Sequence, residues 1–190
     1  AGACPWLRLL PEMRYLTVSA DLLKGLTDRG LPICWAEVRP VEEKAFSVKG
    51  MYNPALAMKL AETNPDAVMV CNDLDFDAEG DIYILTGPNS GGKSIFTCGV
   101  GILQIMFQLG MPIPASSGAI SPVDGIFTHF PSEVEVTTAD GRLGSECALV
   151  KKIFDKLTPH SLVLLDETFS GTGSFEGSFL AADVLAALSA

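Results

Sequence analysis

Lys93 and Ser94 close the run Gly87-Pro88-Asn89-Ser90-Gly91-Gly92-Lys93-Ser94, whose spacing of glycine, lysine and hydroxyl is that of a phosphate-binding loop. Each residue type has a reason. Glycines lack a Cβ, so the backbone can curl until successive N–H groups face one concavity, and the N-terminus of a following helix adds its own donors. An ammonium at Lys93 would reach the β- and γ-phosphates of a nucleotide held there, and the Ser94 hydroxyl would ligate Mg²⁺. The competing interpretation is a glycine pair that only ends a strand, followed by a solvated lysine. It is the weaker one, because a β-branched and aromatic run, Ile82-Tyr-Ile-Leu-Thr86, leads into the loop and an apolar helical stretch leaves it.

Leu162-Val-Leu-Leu-Asp166-Glu167 is a continuous apolar strand that ends in two acids. Phosphate-loop enzymes place a metal-binding carboxylate at such a strand end, which assigns Asp166 to Mg²⁺ and Glu167 to the general base that polarises water. Alone, the pair would be an ordinary solvated turn. A third feature, Asp140-Gly-Arg-Leu-Gly144-Ser145-Glu146, is a glycine-containing loop ahead of a helix expected over 146–157. Either Gly144 and Ser145 touch the γ-phosphate held by another subunit, or Ser145 simply caps the helix. Ser170-Gly-Thr-Gly-Ser174 is likewise either a loop along a dimer interface or a plain strand-to-helix connection.

The elements that must carry these residues are legible from periodicity and punctuation. An amphipathic helix is expected over 12–29, ended by Gly30, and short strands over 33–38 and 45–48 lie on either side of Arg39-Pro40. A helix over 54–62 has Pro54 near its first turn, and an apolar strand over 67–71 precedes Asn72-Asp73. The strand over 81–86 feeds the phosphate loop. The helix behind the loop runs to about Leu109 and stops at Gly110, Pro112 and Pro114. Strands follow over 126–130 and 161–166, with an alternating glutamate and valine stretch over 132–138. Apolar strands alternating with helices predict an α/β fold with a mostly parallel sheet flanked by helices. Residues 1–49 read as a lead-in, the end of a helical lever or core domain; 50–190 read as the domain that holds the loop, continuing past Ala190.

The chain of 190 residues has a formal net charge of −10, and all of the acidic excess lies after residue 60. A basic nucleic-acid surface is therefore not expected, and DNA, if it is a partner, is met through other parts of a larger protein. Cys4, Cys34, Cys71, Cys98 and Cys147 are odd in number and form no C-x-x-C pair, which points to thiols in a reducing, cytoplasmic compartment. His129 and His160 stand outside any zinc-ligand spacing, so the metal expected is Mg²⁺. The most apolar stretch, 95–113, is interrupted by Thr97, Gln104 and Gln108, and a buried helix explains it better than a membrane span. A secretory signal is not expected from the opening residues.

Phosphate loop, glycine-led helix, acidic strand and interface loop follow one another as in ABC-type ATPases. Thr86-Gly-Pro-Asn-Ser-Gly-Gly-Lys-Ser94, together with Asn72-Asp73, Ile126-Phe-Thr-His129 and Leu162-Val-Leu-Leu-Asp-Glu167, resembles the ATPase domain of MutS-family mismatch-repair proteins. The resemblance runs from about residue 50 to the C-terminus, and Asn89 is its distinguishing loop residue. Tyr52-Asn53-Pro54 resembles the point where the family's helical lever enters the domain.

It implies a P-loop NTPase of the ABC-ATPase type that binds ATP through Gly87, Pro88, Asn89, Ser90, Gly91, Gly92, Lys93, Ser94 and Ile95. Val70 lies in the region where the family often sets an aromatic residue against the adenine. Mg²⁺ falls to Ser94 and Asp166, and catalysis to Glu167. A homodimer is implied, with Gly144 and Ser145 reaching the partner's nucleotide, and with ATP binding and hydrolysis coupled to clamping on DNA. The chain departs from the family pattern at Met69-Val70, at Arg142-Leu-Gly-Ser-Glu146 and at Thr168-Phe-Ser-Gly-Thr172. The altered glycine loop motivates an alternative, a nucleotide-gated DNA-binding or assembly switch with little hydrolysis, and another ABC-type ATPase outside mismatch repair is a further one. A transporter-type ATPase is disfavoured because no Leu-Ser-Gly-Gly-Gln precedes Leu162, and a GTPase because no Asn-Lys-x-Asp is present.

Overall fold

Helix-stopping and helix-starting residues account for most element boundaries in the computed structural model, which describes residues 9–76, 82–130, 141–169 and 173–189. Helix α1 spans Leu10–Thr27, with Pro11 in its first turn, where an N–H would have no intrahelical partner. Helix α2, Pro54–Thr63, starts on Asn53, whose side chain accepts from the Leu56 N–H at 3.1 Å. Helix α3, Lys93–Gln108, follows the glycine loop, and Gly110 at φ 67 turns the chain away from its end. Helices α4, Gly141–Phe154, and α5, Ser174–Leu188, follow.

The strands are β1 (Glu37–Val38), β2 (Phe46–Met51), β3 (Asn72–Phe76), β4 (Ser117–Ile120), β5 (Gly125–His129) and β6 (Ser161–Leu165). A four-stranded sheet has the order β1-β4-β2-β3, and β5 and β6 form a second, two-stranded sheet. The α/β class holds, but the four-stranded sheet is mixed rather than mostly parallel. Among the described residues β1 with β4 and β5 with β6 run parallel, and β2 is antiparallel to both of its neighbours. The cause lies in β2 itself. Phe46, Val48 and Met51 are buried while Ser47 and Lys49 are not, and such a one-sided strand suits an antiparallel sheet with one wet face.

Other expectations shift in detail. The run 67–71 is not a strand: Val68 and Val70 are exposed, and the strand begins at Asn72, where Leu74 and Phe76 fall opposite Val48 and Phe46. Residues 82–86 carry no strand pairing among the described residues, and Tyr83, Ile84 and Leu85 are exposed, although Tyr83 stacks on Phe76 at 4.4 Å. The strand expected over 33–38 reduces to β1 and an isolated bridge between Cys34 and Ile113. Strand β4 has no counterpart among the elements expected from the sequence. The stretch 132–138 lies outside the described residues.

Helix α3 joins the two sheets through one core. Val100, Leu103 and Met106 of α3 pack with Phe46, Val48 and Met51 of β2, Ile120 of β4 and Leu164 of β6. The approach to β6 is close: a Cβ on Gly101 would sit 2.7 Å from Leu164 Cδ1. Gln104, fully buried, donates to the Ser121 carbonyl at 3.0 Å, while Gln108 donates to the Val123 carbonyl at 3.0 Å and accepts its N–H at 3.1 Å. Two of the three polar interruptions of the apolar helix thus tie down the link from β4 to β5. Among the described residues no helix is long and apolar enough to cross a membrane.

Candidate nucleotide site

Local bonds shape the glycine loop. The Pro88 carbonyl accepts from the Gly91 N–H at 3.1 Å, Ser90 takes φ 64, and Gly92 takes φ 84. A Cβ on Gly91 would lie 2.9 Å from the Pro88 oxygen, a backbone atom with no rotamer to yield, so this turn excludes any side chain there. The Gly92 carbonyl then accepts from the Phe96 N–H at 2.9 Å and opens α3. Lys93 folds back over the loop, its Nζ donating to the Gly87 and Pro88 carbonyls at 3.0 Å each. Gly87, Pro88, Asn89, Ser90, Gly91, Ser94 and Ile95 face solvent. Asn53 Nδ2 donates to the Ile95 carbonyl at 2.8 Å, which fastens the first turn of α3 to the start of α2. Val70 is exposed on a different segment, ahead of β3.

The contact between α3 and β6 joins the loop element to the acidic strand. Asp166 is buried at 7% exposure, and its N–H donates to the His129 carbonyl at 2.9 Å, one step past the ladder pair His129–Leu165. Glu167 then turns outward: it is exposed and takes φ 48, while Phe169 takes φ 65 and is buried. Thr168 Oγ1 lies 3.2 Å from His129 Nδ1. Neither His129 nor Thr168 is among the site residues that the sequence suggests. The available signal is a histidine ending the strand whose parallel neighbour runs into the acid pair.

The glycine-containing loop is different from the expectation. Helix α4 begins at Gly141, so Gly144 and Ser145 lie within its opening turns, half-buried, and Ser145 is not the capping residue. Gly141 and Gly144 suggest a loop by composition, yet a glycine in a helix costs only about 1 kcal/mol, which packing of Val150 and Ile153 offsets. Of Ser170-Gly-Thr-Gly-Ser174, residues 170–172 lie outside the described residues, and Ser174 is the first residue of α5.

Residues 83–190 match the family described as MutS domain V. The chain is 32% identical over 161 residues to the DNA mismatch repair protein MutS of Parasynechococcus marenigrum, covering 85% of this chain and 17% of that protein. It is 31% identical over 179 residues to the DNA mismatch repair protein MutS of Prochlorococcus marinus, covering 91% of this chain and 19% of that one. The chain therefore spans less than a fifth of the length of these relatives. With a glycine loop opening a helix, an acid pair ending a strand packed on that helix, and a family match over more than half its residues, this chain belongs to the MutS family through its domain V.

Proposed function

We propose that this chain is the Mg-ATP-binding and ATP-hydrolysing domain of a MutS-like DNA-repair protein. The observation that carries the reading is the turn at Gly91-Gly92-Lys93. One glycine excludes a side chain by contact, the next takes a left-handed φ, and an ammonium stands beside the N-terminus of the helix. An added Cβ at Gly87 or Gly92 would meet no atom within 4 Å, so what calls for glycine there is the positive φ, 156 and 84, and not a contact. Backbone donors, a helix N-terminus and a lysine suit a polyphosphate.

Lys93 would exchange its two carbonyl partners for phosphate oxygens, which bind an ammonium more strongly. The Ser94 hydroxyl and the Asp166 carboxylate are hard oxygen donors of the kind Mg²⁺ takes. Held by Ser94 and Asp166, the ion would neutralise charge on the phosphates. Glu167, exposed just beyond the strand, accepts the proton of the attacking water. Ile95 and Val70 contribute apolar contacts to the nucleoside. In an ABC-type arrangement, Gly144 and Ser145 complete the site of a second subunit in a cytoplasmic homodimer, and turnover drives clamping on DNA. With a net charge of −10, this chain leaves the DNA contact itself to other parts of the protein.

One observation favours a second reading, a nucleotide-gated switch with little hydrolysis. Gly144 and Ser145 belong to α4 instead of an open loop, which leaves less backbone to reach a γ-phosphate across an interface. Titration of a fluorescent ATP analogue with Mg²⁺ into the parent and into Lys93→Ala tests the reading. The variant is expected to bind at least about tenfold more weakly, the worth of a charged hydrogen bond. Equal affinity in both would remove the loop from its role. Tight binding without phosphate release would favour the switch.

A further inference from the structure

His129 closes β5 and has no part in the chemistry above, yet it is buried beside the acid pair, at 6% exposure. The turn it touches is unusual. Within three residues Glu167 and Phe169 both adopt left-handed backbone, φ 48 and 65, which residues with side chains rarely take. Such a turn persists only where its surroundings over-determine it. Three holds are visible. The Asp166 N–H is bonded to the His129 carbonyl at 2.9 Å, and Phe169 is buried in a groove with Val150 and Phe154 of α4 and Leu180 of α5. The third is the Thr168 hydroxyl on His129 Nδ1 at 3.2 Å. Nδ1 and a hydroxyl offer one donor and one acceptor in either tautomer, so the contact survives both.

We infer that His129 is a positioning residue for Glu167: by holding Asp166 through its carbonyl and Thr168 through its imidazole, it fixes both neighbours of the general base. The inference rests on the hydrolytic reading above and gives its exposed carboxylate a defined direction. A strand end with only the backbone bond would leave Glu167 pivoting about Asp166. Buried Phe169 holds the far side of the turn, two residues on; the histidine adds the hold on Thr168, the residue next to the base, and a base must be aimed to be effective.

Steady-state ATP hydrolysis and nucleotide affinity of the full-length protein test this in His129→Leu, Thr168→Val, their double variant and His129→Asn, alongside amide hydrogen exchange over 166–169. The single variants His129→Leu and Thr168→Val should lose about tenfold in kcat, with KM for Mg-ATP and nucleotide Kd within about twofold. The double variant should be no slower than the slower single, because the two side chains act through one contact. His129→Asn, whose amide can occupy the Nδ1 position, should recover most of the rate, and exchange should quicken at 168–169 in His129→Leu alone among the histidine variants. Unchanged kcat in both singles, losses that multiply in the double variant, or loss of affinity in step with kcat would overturn the positioning role while leaving hydrolysis intact. A wild-type protein that binds Mg-ATP without turnover would overturn the hydrolytic reading and this role with it.

Discussion

Strands β5 and β6 hold an acid at each end of their shared ladder, and the two ends treat it in opposite ways. At the N-terminal end, Asp124 is exposed but held by hydrogen bonds. It accepts from the Thr158 hydroxyl and, at 2.9 Å, from the Ser161 hydroxyl, and its N–H donates to the His160 carbonyl at 3.2 Å. Thr158 N–H in turn donates to Ser161 Oγ at 3.1 Å, and the His160 N–H donates to Thr158 Oγ1 at 3.1 Å. At the C-terminal end, Glu167 is exposed on left-handed backbone, and among the described residues no hydrogen bond holds its carboxylate. An acid whose lone pairs are filled by neighbours fastens two strands together. An acid whose lone pairs face solvent on a held turn is available for chemistry.

The largest expected effect tests the exposed end. Glu167→Gln keeps the shape and the turn but removes the proton acceptor, so kcat for ATP should fall by about 100-fold or more while nucleotide affinity and melting temperature stay near the parent's. Phosphate release measured beside a binding titration reads both. An unaltered kcat would make Glu167 a solvated surface acid, and the contrast between the two ends would lose its functional half.

A smaller effect, opposite in kind, belongs to the fastened end. Ser161→Ala removes a donor to Asp124 and an acceptor for Thr158 N–H, and should cost about 1 kcal/mol of stability. For a chain of this size that lowers the melting temperature by about 3 °C, with kcat unchanged. A variant that kept its stability but lost turnover would mean that the two ends are coupled along the ladder.

The features legible without the structure are those built from neighbours in the chain. Gly91 bonds to Pro88 and Lys93 to Gly87, so the loop is written within one short segment. The apolar run of β6 likewise announces its own acidic end. What escapes a reading of the sequence depends on distant partners. Strand β4 is built on Ser117-Gly118-Ala119, poor strand formers. They are small because a Cβ on Gly118 would come within 2.9 Å of Ile113 Cδ1 and 3.1 Å of Val48 Cγ1. Val68 and Val70 have the composition of a strand but stay exposed, while the polar Asn72-Asp73 enters one because Leu74 and Phe76 find Val48 and Phe46 on β2. His129 and Thr168 are 39 residues apart, and only the parallel register of β5 and β6 brings them together.

The smallest effect is in the acid limb of stability, where the fastened acid should declare itself. Hydrogen bonds from Thr158, then Ser161, favour the charged form and hold the Asp124 carboxyl below its ordinary value. The unfolded chain therefore binds a proton at this residue at a higher pH than the folded one does. The stabilisation is complete above the ordinary carboxylate range, about pH 4, and is lost as pH falls through the lower folded value. Asp124→Asn has no such titration, so the difference in melting temperature between parent and variant should be constant from neutral pH down to about pH 5 and shrink below it. Because Asp124 is exposed, water screens the effect, and the change should be smaller than that of Ser161→Ala. A difference that stayed flat through the acid range would mean that the bonds from Thr158 and Ser161 do not favour the charged carboxylate. The fastened end would then be set apart by its geometry alone.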